Sequence, residues 1–190
     1  MLPDSLFEGI KMILKKAEFI DDRTDRHKNV QTSLLNLLRE LGFVAMKEYR
    51  ITHRSIYRSK GRFSELKQRE GGLIDVYGTK QDDSIAIEFD NSGSSKWKSI
   101  EKLLQCDAEH CLGLCIGPKR EEEFDFYYRK NKLRIRQVFI ELVTHYIKEK
   151  EFEKLHSLLS KIFWLGIISM DVFEEINLTD LLKSTHYSLD

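Results

Sequence analysis

The chain predicts an α/β fold: a central mixed sheet of four to five strands flanked by helices, with a helical C-terminal extension. Three observations carry this. Over residues 1–118 the patterns run helix, helix, strand, strand, strand, helix, strand. Two of the strand-like runs, "GLIDVYG" and "SIAIEFD", are separated only by "TKQDD", which makes them an antiparallel hairpin. After Pro118 the pattern is helical almost throughout. Residues 1–118 are therefore expected to form the α/β core, and residues 119–190 a helical extension packed on it.

The elements follow in order. "DSLFEGIKMILKKAEFI" places Leu6, Phe7, Ile10, Ile13, Leu14 and Ala17 at helical spacing, with Asp4 or Ser5 as its N-cap. "DDRTDRHKN" reads as a polar break. "VQTSLLNLLRELG" repeats the helical period, and Gly42 is placed to end it. "FVAMKEYRI" reads as a strand. The stretch after it, "THRSIYRSKGRFSELKQRE", is basic and has no clear period. The hairpin comes next, then an "NSGSS" loop and the helix "KWKSIEKLLQC". "CLGLCIG" is a short apolar run suited to a buried strand. "KLRIRQVFIELV" and the segments beyond it, through "KIFWLGIISM", read as helices.

Composition limits what such a fold does. The chain has 190 residues, 41% hydrophobic and 33% charged, which suits one globular core. Lys+Arg and Asp+Glu both number 31, so any nucleic-acid contact must come from a local patch. No run of eighteen apolar residues occurs, so no membrane span is expected. The N-terminus carries its acids before its apolar part, the wrong order for a secretory signal. Three cysteines, an odd number, fit a reducing compartment. A cytoplasmic protein is expected.

The hairpin carries the chemistry. Side chains alternate along a strand, so Glu88 and Asp90 share one face of "SIAIEFD", opposite Ile85, Ile87 and Phe89. Asp75 lies inside "GLIDVYG" and is brought toward the Glu88 end by the turn. Carboxylates inside apolar strands are costly unless something neutralises them. Three converging acids repel one another unless a proton or a divalent cation intervenes. Oxygen-only ligands suit Mg2+ or Mn2+. Lys96, Lys98 and Lys102 follow at once, and Lys98 and Lys102 share a helix face.

With these residues in place, the segment from Val30 to Gly117 resembles the restriction-endonuclease-like superfamily, the PD-(D/E)XK phosphodiesterases. The shared pattern is helix, strand, strand with Asp, strand ending in Glu, helix, strand. The resemblance implies that Asp75 and Glu88 bind magnesium and that the chain hydrolyses DNA phosphodiester bonds as an endonuclease. It implies a lysine two residues after the Glu, where this chain has Asp90. Asp90 then serves as a further acid, and Lys98 or Lys102, on the following helix, supplies the basic group. Gln31 stands near the place of an acid on the first core helix, and Gln105 could line the later helix. Glu48 is an outside candidate for a further acid. The alternative is a catalytically degenerate relative that binds nucleic acid or acts as a regulatory module.

Two further segments bear on function. From Arg50 to Glu70 the local charge is +5, with Tyr57 and Phe63 interleaved. Arg50, Arg54, Arg58, Lys60 and Arg62, with Lys96, are the expected phosphate contacts, and the aromatics could stack on unpaired bases. "CDAEHCLGLC" holds Cys106, His110, Cys111 and Cys115, but its spacing matches no usual zinc pattern, and its cysteines are expected to pack as small hydrophobes. Double-strand cleavage would favour a homodimer.

Overall fold

A computed structural model describes residues 2–59, 62–118 and 120–183; the side chains of residues 54–59, 62–71, 170 and 183 lie outside that description. Helix α1 (Asp4–Ala17) buries Leu6, Ile10, Leu14 and Ala17, the stripe its period predicts. It is entered from Pro3, with no side-chain cap, rather than from Asp4 or Ser5. Helix α2 (Arg23–Glu40) starts well before Val30. The stretch read as a polar break is mostly its first two turns. Asp22 makes this possible: its Oδ1 accepts from Thr24 N at 2.8 Å and Asp25 N at 2.9 Å, satisfying two amides that a helix start leaves open. At the other end Gly42 takes φ +86°, a left-handed value that favours glycine.

Six strands form one sheet in the order β1 to β6. They are β1 (Val44–Ser59), β2 (Arg62–Lys80), β3 (Asp83–Asp90), β4 (His110–Cys115), β5 (Ile162–Ile167) and β6 (Val172–Ile176). The pairs β3/β4 and β4/β5 are parallel and the others antiparallel. Helix α3 (Trp97–Gln105) connects β3 to β4. Helices α4 (Phe124–Lys148) and α5 (Phe152–Leu159) connect β4 to β5, and a short α6 (Asp180–Lys183) follows β6.

Two expectations are corrected here. The sheet has six strands, not four or five, because "IFWLGI", read as helical, is strand β5 and "VFEEI" is β6. A short apolar run has no period that separates a buried strand from a helix. Packing decides: a Cβ on Gly166 would lie 2.7 Å from Leu114 Cδ2 and 2.9 Å from Phe173 Cε1, so the neighbouring strands close directly over this glycine. The described part of the basic stretch without a period is also strand. Here β1 and β2 pair from Val44↔Thr79 to Ser59↔Arg62, whereas β3 covers only Val76–Lys80 of β2. Polar residues at nearly every position leave such a ribbon no alternation to read.

Helices cover both faces. α1 and α2 pack on Val76, Ile85, Ile87, Phe89, Leu112 and Leu114. α3, α4 and α5 pack on the opposite face, over Ala86, Cys111, Cys115, Phe163 and Leu165. Each fully buried isoleucine, such as Ile85 or Ile87, contributes about 1.5–3 kcal/mol. All three cysteines are free and buried. Among the described residues no helix is long and apolar enough to cross a membrane.

Candidate active site at the parting of β2 and β3

The site begins with an irregularity. Ile74 packs with the α3 side of the sheet and Val76 with the α2 side, although residues two apart in a regular strand face the same way. The alternation therefore breaks at Asp75. Opposite it on β1, Glu48 has φ +55° and drops out of the pairing between Lys47↔Val76 and Tyr49↔Ile74. On the other edge, the β2/β3 ladder ends at Val76↔Ile87. Beyond that pair, side chains take over the backbone amides. Asp75 N donates to Glu88 Oε1 at 3.2 Å, and Phe89 N donates to Asp75 Oδ2 at 2.8 Å. Each carboxylate holds an amide of the other strand, and the two acids sit in the fork.

Helices from both layers supply the partners. From α2, Gln31 Nε2 donates to Asp75 Oδ1 at 3.0 Å, and His27 Nε2 lies 3.2 Å from the same oxygen. The His27 ring also stacks on Phe89, with centroids 5.8 Å apart. From α3, Lys102 Nζ donates to Glu88 Oε1 at 2.5 Å and to Leu73 O at 2.5 Å. Glu88 is 3% exposed and Lys102 8%, so their contact is nearly dry.

The electrostatics are uneven. Burial first, and then the charge of Asp75, push the Glu88 carboxyl up to about 8, against the pull of Lys102. Burial also works to raise Asp75, but the hydrogen bonds from His27 and Phe89 N–H outweigh it and hold this carboxyl below its ordinary value. The hydrogen bond to Asp75 raises His27, against its partial burial. One acid is thus poised to stay ionised while its neighbour holds a proton until mildly alkaline pH.

Of the residues expected from sequence, Asp75, Glu88, Lys102 and Gln31 come together. Lys98, one turn before Lys102, is exposed. Asp90 is buried but held elsewhere: Lys96 N donates to its Oδ2 at 2.7 Å, and Lys96 Nζ lies 3.3 Å from its Oδ1. Asp90 thereby closes the 91–96 loop onto the start of α3. From α4, Asn131 and Arg134 tie down the same loop through Ser94 and Ser95. Glu48 is exposed. Gln105 lines a separate cavity of about 360 Å³ with His53, Cys106, Tyr146 and Lys161. Arg50 is exposed on β1. Lys60 lies outside the described residues, as do the side chains of Arg54, Arg58 and Arg62.

Sequence reasoning missed His27, because it lay in the stretch read as a break. The signal was there: Asp22 is a good N-cap, and His27 stands four residues before Gln31, on the same helix face.

Family models, curated proteins and solved structures give no match to this chain. The cysteines of "CDAEHCLGLC" belong to the α3-side core, whereas His110 precedes Cys111 on β4 and alternates to the other face. Among the described residues, no group of three acid, histidine or cysteine ligand atoms within 4.8 Å of one another includes Asp75, Glu88 or Asp90. A two-carboxylate site is what remains. That fits magnesium, which keeps several waters and takes only one or two protein carboxylates. Glu88 Oε2 accepts no hydrogen bond among the described residues, so the pair has an oxygen to offer.

Proposed function

We propose that the chain is a metal-dependent endonuclease that hydrolyses DNA phosphodiester bonds at the β2/β3 fork. The observation that carries this reading is the meeting of Asp75 and Glu88 at the fork, with the helix-borne Lys102 2.5 Å from Glu88 Oε1. Asp75 and Glu88 would hold Mg2+ or Mn2+. When bound, such a cation lowers the pKa of a water and offsets charge on a phosphoryl oxygen.

The chain's own groups have separable tasks. Gln31 and His27 fix Asp75 Oδ1, so that this carboxylate keeps one orientation. Lys102 has three N–H donors. Glu88 and Leu73 O take two, which leaves one for a water or a phosphate oxygen. A fixed ammonium in a nearly dry site stabilises developing negative charge more strongly than one in water. Arg50 and the basic β1/β2 segment supply the phosphate contacts that hold the DNA, with the salt dependence such contacts bring. Cutting both strands would call for two copies of the chain.

One observation favours a second reading, a nuclease-fold relative that binds nucleic acid without cutting it. Asp90 stands where the family pattern has lysine, and it is tied into a loop by Lys96. The test is titration calorimetry with Mg2+ and Mn2+ on wild type, Asp75→Asn and Glu88→Gln, with cleavage assays on duplex, branched and single-stranded DNA. Metal binding lost in both variants, with cleavage lost alongside it, is the expected result. Salt-sensitive DNA binding with neither metal uptake nor cleavage would move the assignment to the second reading.

A further inference from the structure

A second cluster of ligands lies at the other end of β3. Asp83 opens that strand, His110 opens β4, and Glu109 stands just before it. One ligand atom from each lies within 4.8 Å of the others. Acidic residues in such a group are common without an ion. His110 is not an ordinary member of one. Its side chain is buried, with the residue 1% exposed, and neither ring nitrogen has a hydrogen-bond partner. Buried polar atoms in folded proteins nearly always have a partner, so an imidazole with both nitrogens unmet asks for one.

The carboxylates are in a position to supply it together with an ion. Neither the Asp83 nor the Glu109 carboxylate makes a hydrogen bond or ion pair among the described residues. The backbone around them is fixed. Glu109 N donates to Ser84 Oγ at 2.9 Å, Ile162 N donates to Glu109 O at 2.9 Å, and Ile85 pairs with His110 across the parallel β3/β4 ladder. Three donors are thus held on two adjacent strand ends, with two side chains free to swing inward by the small distance that coordination bonds of about 2 Å require.

We infer that Asp83, Glu109 and His110 form a binding site for a divalent transition metal of the zinc type, distinct from the Asp75/Glu88 fork. The imidazole nitrogen selects zinc, cobalt or nickel over magnesium or calcium, which prefer oxygen alone. Three protein ligands leave a fourth position for water. Such an ion would clip the β2/β3 turn to the start of β4. It would anchor the strand that carries Glu88 at the end away from the fork.

The test titrates the full chain with Zn2+, and with Co2+ read by its visible absorption. Wild type should take one equivalent at this site. Asp83→Asn and Glu109→Gln should each weaken it at least tenfold. Both change side chains that hold nothing else, so folding is spared where His110→Ala could disrupt it. The double variant Asp75→Asn/Glu88→Gln should keep this Zn2+ site intact, which separates it from the proposed catalytic one. Absence of any Zn2+ or Co2+ uptake by wild type would overturn the inference. So would uptake that survives Asp83→Asn/Glu109→Gln but disappears in Asp75→Asn/Glu88→Gln.

Discussion

Lys102→Met removes the ammonium that sits 2.5 Å from Glu88 Oε1. The two side chains are 10% and 4% exposed, so solvent and salt do little to replace it. The cost should depend on pH, because Glu88 titrates at about 8. At pH 6 Glu88 holds its proton in both proteins. The loss is then that of the hydrogen bonds to Glu88 and Leu73 O, about 1–2 kcal/mol. At pH 9 the wild-type carboxylate is ionised and paired. Lys102 pulls this group down, so without it the carboxyl titrates higher still. Keeping the proton one pH unit above the wild-type value then adds about 1.4 kcal/mol. The total at pH 9 is about 3 kcal/mol, within the range for breaking a buried pair. Urea and thermal unfolding in EDTA would measure this for wild type, Lys102→Met, Glu88→Gln and the double variant. The pH-dependent part alone should shift Tm by about 3–6 °C. It should vanish in the Glu88→Gln background. A Lys102→Met cost that is equal at both pH values in an otherwise wild-type chain would falsify the account of a dry, coupled pair.

Other outcomes follow from the same geometry. Glu88 contributes stability in full below its unfolded value near 4.5, and this is lost as pH rises through about 8. His27, raised above 6.5, adds a loss in the same direction, whereas Asp75, held below 3.8, loses its contribution only on strong acidification. Metal-free protein should therefore be most stable at mildly acidic pH, and a pH series of melts on Glu88→Gln should show a flatter alkaline decline. Asn131 is fully buried, and its Oδ1 accepts from Ser95 N at 2.9 Å. Asn131→Leu should cost about 1–3 kcal/mol in chemical denaturation, because it leaves that amide without an acceptor; a neutral result would show that the loop does not depend on this hydrogen bond.

Where hydrophobic period and local chemistry agreed, the sequence was a good guide. The α1 stripe, the "TKQDD" hairpin, a buried strand over most of "CLGLCIG" and the two faces of "SIAIEFD" all appear as read. Three features were not legible for physical reasons. The 52–70 stretch of the β1/β2 ribbon is polar at most positions and so has no period. "IFWLGI" has apolar residues at almost every position and so no period either. The start of α2 depends on Asp22 as a cap rather than on an apolar stripe, and His27 was hidden with it.

The sequence alone determined that an acidic hairpin stands inside an α/β core, because alternation and turn chemistry act over a few neighbouring residues. It placed Asp75, Glu88 and Lys102 as the residues to watch. Only the tertiary structure decided their partners. The 75/88 fork lies where the β2/β3 ladder stops, beside the unpaired Glu48 of β1, and helices from both layers reach it. Whether a carboxylate meets a lysine 14 residues on, a histidine 48 residues back or the start of its own loop is settled by contacts across the fold. A linear pattern carries no distance between such groups.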